Sequence, residues 1–356
     1  MKLLIAAGGT GGHIFPGVAV AEAFLENKAH EVVFTGTSYG MEERIIPSLG
    51  FRLVKIEARP FLGGSPLAKV RTLLTLMRGV VQARRVIQKE KPDAILGMGG
   101  FTSVPVLLAG LYGRVPCFIH EQNVYPGMAN RWLSRRVRAT FISFKETTEY
   151  LKARAVVHTG NPVRKAMRGK RAEKSDGNFN IFVFGGSRGA RAINEGVLAL
   201  LPYLESRNGI GIYHQTGTED LARVAAAYER SPIVHEVFPF TDEMEKYYNL
   251  ADVVISRAGA STIFELSYFG KPAILIPYPF SAGGHQWKNG AAVERVGGAR
   301  LIDNSEVSGQ KLYAVITELL ENPEKLAHMR ESIRSIYVED AERKVIREIE
   351  ACVSQN

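Results

Sequence analysis

The sequence predicts an α/β protein of two Rossmann-like domains, each a parallel sheet wound with crossover helices, facing each other across a cleft. Three observations carry the prediction. The chain has 356 residues, more than one hydrophobic core usually supports. Short runs rich in β-branched residues alternate with longer runs of helical periodicity, the pattern of βα units. A strand, a glycine loop and a helix occur in succession twice. Lys2–Ala7 leads into Gly8-Gly9-Thr10-Gly11-Gly12, and 177 residues later Phe179–Phe184 leads into Gly185-Gly186-Ser187-Arg188-Gly189.

The elements follow in order. Lys2–Ala7 reads as a buried first strand, because glycines follow where a signal peptide needs a longer apolar core. A helix is expected from about Pro16, where Val18, Ala21, Phe24 and Leu25 fall at helical spacing. Glu31–Phe34 is the second strand. Pro92–Leu96 then leads into Gly99-Gly100-Phe101-Thr102, and Val115–Ile119 into His120-Glu121-Gln122-Asn123. The second half repeats the order. Its helix runs through Ile193, Val197 and Leu200, Ala251–Ile255 leads into Ala258-Gly259-Ala260-Ser261-Thr262, and Lys271–Ile276 leads into Pro277–Phe280. Residues 94–113 carry no charge and are long enough to span a bilayer. Gly97, Gly99, Gly100 and Pro105 interrupt them, so a strand, a loop and a buried helix explain them better, irregular backbone being costly in lipid. The linker is placed near Gly160-Asn161-Pro162, with the polar stretch Lys170–Asn178 ahead of the second domain.

Apolar residues at 46% and charged residues at 23% are ordinary for a globular protein. The two cysteines, Cys117 and Cys352, exclude a disulfide framework and a cysteine zinc cluster, and suit a reducing cytosol. The net charge of +9 is unevenly placed: residues 1–160 hold 21 Lys and Arg against 11 Asp and Glu, and residues 161–356 hold 24 against 25. The first half therefore expects an anionic partner: a membrane surface, nucleic acid or a phosphorylated acceptor. No basic–aromatic interleaving or recognition motif supports nucleic acid.

Ligands of parallel sheets bind beyond the carboxyl ends of the strands, where the glycine loops sit. Such a loop brings backbone N–H groups to a phosphate, and the following helix dipole adds attraction. Tight turns serving only helix–strand packing are the alternative, and repetition in both halves favours a ligand. The first loop is not G-x-G-x-x-G, and no acidic residue follows the second strand to hold an NAD ribose. No G-x-x-x-x-G-K-[ST] occurs, which disfavours a P-loop enzyme. No H-E-x-x-H, EF-hand or D-x-D pattern supports a metal site. Gly185-Gly186-Ser187-Arg188-Gly189 also fits the nucleophile elbow G-x-S-x-G, with Ser187, Asp252 and His285 in hydrolase order. A serine hydrolase is thus the rival of a different class, although an elbow leaves the first loop and the repeat unexplained.

Gly8–Gly17 (GGTGGHIFPG), Gly97–Phe101 (GMGGF), His120–Asn123 (HEQN), Gly160–Arg164 (GNPVR), Gly185–Ala190 (GGSRGA) and Arg257–Thr262 (RAGAST) occur in this order. Over nearly the whole chain they resemble the MurG family, N-acetylglucosaminyltransferases of glycosyltransferase family 28 that convert lipid I to lipid II in bacterial peptidoglycan synthesis. The resemblance implies the GT-B fold, an inverting mechanism, UDP-N-acetylglucosamine as donor, lipid I as acceptor, no required metal or cofactor, and a peripheral position on the cytoplasmic face of the cell membrane. It implies an acceptor domain over residues 1–161 and a donor domain over residues 162–337. The amphipathic last helix (Asp340–Ser354), within residues 338–356, would pack back on the first domain.

Residue roles follow from the same resemblance. Thr10, Gly11 and Gly12 lie beside the donor, with Gly99, Gly100 and Phe101 forming an acceptor or pyrophosphate loop. Asn123 hydrogen-bonds the sugar. Arg164 and Ser187 meet the nucleotide end of the donor and its phosphates. Thr241 aligns with a uracil-contacting position. Ala260, Ser261 and Thr262 open a helix toward the pyrophosphate, and Glu265 accepts from the ribose hydroxyls, a first-turn dipole partner being the alternative. The family often has two adjacent glutamines where this chain has His285-Gln286. Gln286 can still bond sugar hydroxyls, and His285 is left between a site role and a loop role. Another UDP-sugar enzyme, such as an epimerase, is the alternative within the fold.

An inverting transfer needs a base for the acceptor hydroxyl and dipolar or positive groups for the leaving pyrophosphate. Resemblance and chemistry both point to His13, which follows the first glycine loop. A capping or phosphate-binding histidine is the alternative. Glu121 is the second candidate, as base or as orienting partner. Residues 67–91 set an apolar stripe among basic flanks, which suits an anionic membrane surface. Phe61–Met77 is expected to be the exposed patch, and Val80 onward an ordinary crossover helix. Arg131–Arg138 extends the basic surface.

Overall fold

The computed structural model describes residues 1–60, 65–169 and 177–355, with the backbone alone at 66–68. The part of the expected membrane patch at 61–64 and most of the expected polar stretch, at 170–176, lie outside the described residues. The chain divides into two compact units: Met1–Ala166 with Val338–Asn356, and Met167–Tyr337.

In the first unit the strands are β1 (Lys2–Ala6), β2 (Glu31–Gly36), β3 (Leu53–Lys55), β4 (Ala94–Gly97), β5 (Cys117–Glu121), β6 (Ala139–Ile142) and β7 (Val156–His158). The helices are α1 (Gly11–Phe24), α2 (Glu42–Ser48), α3 (Pro66–Glu90), α4 (Gly100–Tyr112) and α5 (Met128–Leu133). In the second unit the strands are β8 (Phe179–Phe184), β9 (Ile210–Gln215), β10 (Val234–Phe238), β11 (Val253–Ser256), β12 (Ala273–Leu275) and β13 (Ala299–Leu301). Its helices are α6 (Arg191–Leu204), α7 (Leu221–Tyr228), α8 (Met244–Leu250), α9 (Ala260–Phe269), α10 (His285–Arg295), α11 (Gly309–Glu321) and α12 (Pro323–Arg334). The last helix, α13 (Ala341–Ser354), belongs to the first unit.

Among the described residues the first unit holds a seven-stranded sheet in the order β3-β2-β1-β4-β5-β6-β7, and the second a six-stranded sheet in the order β10-β9-β8-β11-β12-β13. All the pairings are parallel. Helices cover both faces of such a sheet, so its strands are apolar throughout. In β1, Leu3 and Ile5 enter one core, with α1 and α13, while Leu4 and Ala6 enter the other, with α3 and α4. In β8, Ile181 and Val183 face the core of α6 and α11, and Phe182 packs with Tyr247 and Tyr248 on the opposite side.

The order of strands reverses once in each sheet, between β1 and β4 and between β8 and β11. The loops that leave adjacent strands there run to opposite faces and open a crevice at the carboxyl ends. All four predicted glycine loops follow those four strands.

Two helices start where the sequence reading did not place them. α1 begins at Gly11, five residues before Pro16, and α4 takes in Pro105 at the equivalent sixth position. Each proline lacks the N–H that would reach the carbonyl four residues earlier, Gly12 or Phe101. The early start of α1 brings His13 into its first turn, where His13 N–H donates to the Thr10 carbonyl at 3.1 Å. Residues 94–113 form β4, a turn and α4, and among the described residues no helix is long and apolar enough to cross a membrane.

Candidate functional site

In the first unit the site is built at the β1/β4 reversal. Gly9, Gly99 and Gly100 take positive φ angles of 89°, 93° and 72°, which only glycine adopts without strain. The Gly99–Gly100 turn lies against the His13 ring: a Cβ on Gly99 would sit 3.2 Å from the ring's Cε1 and Nδ1. His13 Nδ1 is 2.9 Å from Gln122 Oε1. Gln122 Nε2 donates to the Met98 carbonyl at 3.0 Å and to the His120 carbonyl at 3.1 Å, and lies 3.0 Å from His120 Nδ1. His120 Nε2 ends the chain at the Gly160 carbonyl, 3.0 Å away. Burial lowers the His120 pKa to about 4, so this ring is neutral at physiological pH.

Glu121 points to the other side of β5, as strand alternation requires. Its carboxylate is buried and accepts from four donors. Asn123 N–H and Asn123 Nδ2 lie at 3.0 and 3.2 Å from Oε1, and Gly127 N–H and Asn130 Nδ2 at 3.1 and 2.7 Å from Oε2. The Asn123 carbonyl accepts from Thr147 Oγ1 at 3.0 Å. Phe101 stacks on Tyr39, with ring centroids 6.3 Å apart. Thr10 is exposed, and Gly11 and Gly12 are half-buried in the first turn of α1. Arg164, expected at the nucleotide end of the donor, belongs to the first unit, and its guanidinium lies 4.4 Å over the Phe15 ring of α1.

In the second unit the β8/β11 reversal carries the other two loops. Gly186 and Gly189 take φ of 94° and 76°. A Cβ on Gly189 would collide with the Thr216 carbonyl, so the loop lies tight on the turn after β9. Ser187 is exposed at the loop tip. Across the reversal α9 opens with Ala260, Ser261 and Thr262. The Ser261 hydroxyl is buried and has no hydrogen-bond partner among the described residues. Glu265 lies in the second turn of α9, which removes the first-turn alternative, and its Oε2 accepts from the Tyr248 hydroxyl at 3.0 Å. Thr241 Oγ1 accepts from Glu243 N–H at 3.0 Å, shaping the turn before α8. Gln286 Oε1 accepts from Tyr278 N–H at 2.8 Å, which commits one end of its amide to the loop. His285 Nδ1 is 2.8 Å from the Ala282 carbonyl, so this ring braces its own turn.

The hydrolase alternative fails on geometry. Asp252 accepts from Asn180 N–H at 2.9 Å and pairs with Arg330 at 2.8 Å. Asn180 is at the start of β8, and Ser187 follows its end, a strand length of about 20 Å away. No Ser–His–Asp chain can form across that distance.

Sequence reading missed three residues of the first site. Glu42 is fully buried and accepts from Gly9 N–H at 3.0 Å, Thr37 N–H at 2.8 Å and Thr37 Oγ1 at 2.7 Å, pinning the first glycine loop to the turn after β2. The glycines at 36 and 40, where a Cβ would strike Glu42, were the available signal. His120 and Gln122 stand in the motif already singled out, but nothing in the sequence says which of its members meets His13.

The comparisons agree on the fold and the family. The glycosyltransferase family 28 N-terminal domain matches residues 3–142, and the family's C-terminal domain matches residues 180–345. A UDP-N-acetylglucosamine–N-acetylmuramyl-(pentapeptide) pyrophosphoryl-undecaprenol N-acetylglucosamine transferase of Geotalea uraniireducens is 42% identical, covering 100% of both chains. The protein of that name from Geobacter sulfurreducens is 40% identical over 99% of this chain and 98% of its own. A crystal structure of Acinetobacter baumannii MurG superposes with a TM-score of 0.81 at 30% identity, covering 98% of this chain and 99% of that one. The fold is GT-B: two domains, each a parallel sheet wrapped in helices. The chain belongs to glycosyltransferase family 28, in its MurG branch.

Proposed function

We propose that the chain transfers N-acetylglucosamine from UDP-N-acetylglucosamine to the C4 hydroxyl of the N-acetylmuramyl-pentapeptide of lipid I, with inversion, giving lipid II. Full-length identity to enzymes of that name supports the reaction. The observation that carries the mechanism is the His13 ring at the β1/β4 reversal, bonded through Nδ1 and with no hydrogen-bond partner for Nε2 among the described residues. His13 Nε2 takes the proton from the acceptor hydroxyl, whose oxygen attacks C1 of the donor sugar. The bond from C1 to the β-phosphate oxygen breaks, and UDP leaves with the electron pair.

The second unit holds the donor. The N-terminus of α9, with the buried Ser261 hydroxyl in want of a partner, suits the pyrophosphate. Ser187 contacts the nucleotide end, Thr241 lies at the uracil, Glu265 accepts from the ribose, and Gln286 bonds the sugar. Arg164 and Asn123, both in the first unit, keep the nucleotide and sugar roles that the family resemblance implies. Thr10, Gly11 and Gly12 flank the reacting carbon. Gly99, Gly100 and Phe101 line the acceptor side. Glu121, saturated by four donors, holds the Asn123 turn rather than accepting a proton.

The first unit meets the membrane peripherally, at the cytoplasmic face. Val70, Leu73, Leu74, Met77 and Val81 form one exposed stripe along α3. It runs past Val80, where the sequence reading expected the helix to turn ordinary. Beside it lies a groove of about 420 Å³ lined in part by Arg59, Arg71 and Arg78, fitting an anionic lipid surface.

An assay with UDP-N-acetylglucosamine and a lipid I analogue tests the reaction. UDP release only with acceptor is expected, and epimerisation of the donor without acceptor overturns it. His13→Ala should lower kcat by about 10²- to 10⁴-fold with UDP affinity unchanged. Wild-type turnover in that variant removes His13 as the base.

A further inference from the structure

The hydrogen bonds around His13 have one permitted direction. The Gly160 carbonyl can only accept, so His120 Nε2 carries a proton and donates to it at 3.0 Å. His120 Nδ1 is therefore the acceptor of the neutral ring, facing Gln122 Nε2 at 3.0 Å. The Gln122 amide is oriented independently, because its nitrogen also lies within hydrogen-bond distance of the Met98 and His120 carbonyls. A flipped amide would set oxygen against oxygen at both. Gln122 Oε1 must then be the atom facing His13, and an oxygen can only accept there. His13 Nδ1 carries the proton, and the lone pair of the neutral ring is on Nε2.

We propose that Gln122 and His120 are positioning residues that lock His13 in the Nδ1–H tautomer, directing its basic nitrogen, Nε2, to the acceptor hydroxyl. This rests on His13 being the base. The alignment begins at a backbone carbonyl and reaches the reacting ring through two side chains, both of them buried. A neutral amide in this place orients the ring without adding charge to the site. When Nε2 takes the proton, the Nδ1–H bond to Gln122 is unchanged, so the step needs no rearrangement behind the ring. The Gly99–Gly100 turn lies against the ring and limits its rotation.

The direct test is nitrogen-15 NMR of the full-length protein with labelled histidine, in which two-bond couplings separate the tautomers. The His13 signal is identified by its loss in His13→Ala. The expected spectrum has His13 as Nδ1–H and His120 as Nε2–H, two opposite tautomers in one protein. His13 as Nε2–H, the form a solvated histidine prefers, or as a mixture overturns the proposal. Gln122→Leu removes the acceptor. It should release His13 to a mixture of tautomers and lower kcat by about 10- to 10⁴-fold, the span between a loosened ring and a wrong tautomer, with KM for UDP-N-acetylglucosamine nearly unchanged. A folded Gln122→Leu protein with wild-type kcat also overturns it. If that variant does not fold, the wild-type spectrum still decides. The spectrum reads the lock without turnover, and turnover of His13→Ala reads the base without the lock, so the two ideas fail separately.

Discussion

At the scale of single residues, the chemistry of the first site is set by which side chains are already engaged. Glu121 has a carboxylate, the usual equipment of a base, but it is buried and four donors surround it. Glu121→Gln would turn an N–H₂ toward groups that themselves donate. The variant is expected to lose about 1–3 kcal/mol of stability, the cost of buried donors left without an acceptor, seen as a lower urea midpoint. An unchanged midpoint together with abolished turnover would return Glu121 to the role of base. Ser261 is the opposite case, a buried hydroxyl with no partner among the described residues. Ser261→Ala is expected to weaken UDP binding by about 0.5–1.5 kcal/mol in calorimetry, the worth of one hydrogen bond. Identical affinity would take this hydroxyl out of the site.

At the scale of elements, α3 is the one that departs most from a simple crossover. A helix laid on a sheet turns its apolar stripe inward. Thr75, Gly79 and Ala83 face the protein here, while Leu73, Leu74 and Met77 are more than half exposed. The small residues allow close packing against α4 and the segment around Glu57, where a Cβ on Gly79 would collide with the Glu57 carbonyl. The large apolar residues are left outside, a patch of the kind that marks an interaction surface. Leu73→Glu with Leu74→Glu should reduce co-sedimentation with anionic liposomes at least tenfold, since each leucine buried in lipid contributes about 1.5–3 kcal/mol. UDP affinity should not change. Undiminished liposome binding by the double variant would move the membrane contact elsewhere.

At the scale of the whole molecule, each unit carries a buried, neutral histidine. Burial lowers His120 to about 4 and His214 to about 3, from an ordinary 6.5. As the pH falls below about 6.5 the unfolded chain takes up protons at these positions and the folded chain does not. The unfolded state then binds more protons, so stability falls with falling pH. The loss begins near pH 6.5 and is complete near pH 4 for His120 and near pH 3 for His214. For His120 alone it amounts to about 3 kcal/mol. Unfolding by denaturant at pH 7 and pH 5 checks this, and equal stabilities would contradict it. Gly160 ties the first unit together at the same place. It has a φ of 77°, and its Cβ would lie 2.5 Å from that of Val338, where the chain returns to the first unit. Its carbonyl is the acceptor for His120.

The sequence by itself determined the fold class, the strands β1, β2, β4, β5, β8, β11 and β12 in their order, and the four glycine loops that follow β1, β4, β8 and β11. It could do so because apolar periodicity and glycine are local signals, readable without knowing the neighbours. It placed the start of α1 too late, because a proline in the second turn looks like a helix start when the carbonyl it leaves unbonded cannot be seen. It offered Ser187, Asp252 and His285 as a triad, since spacing along the chain says nothing of which end of β8 a residue lies against. The tertiary structure alone decided that Glu121 is saturated, that Glu42 pins the first loop, and that Gln122 rather than Glu121 meets His13. Those facts depend on long-range hydrogen bonds, such as the contact from residue 13 to residue 122 and the one from residue 120 to residue 160. Such bonds form only when the parallel sheet has brought the ends of β1, β4, β5, β6 and β7 into one row.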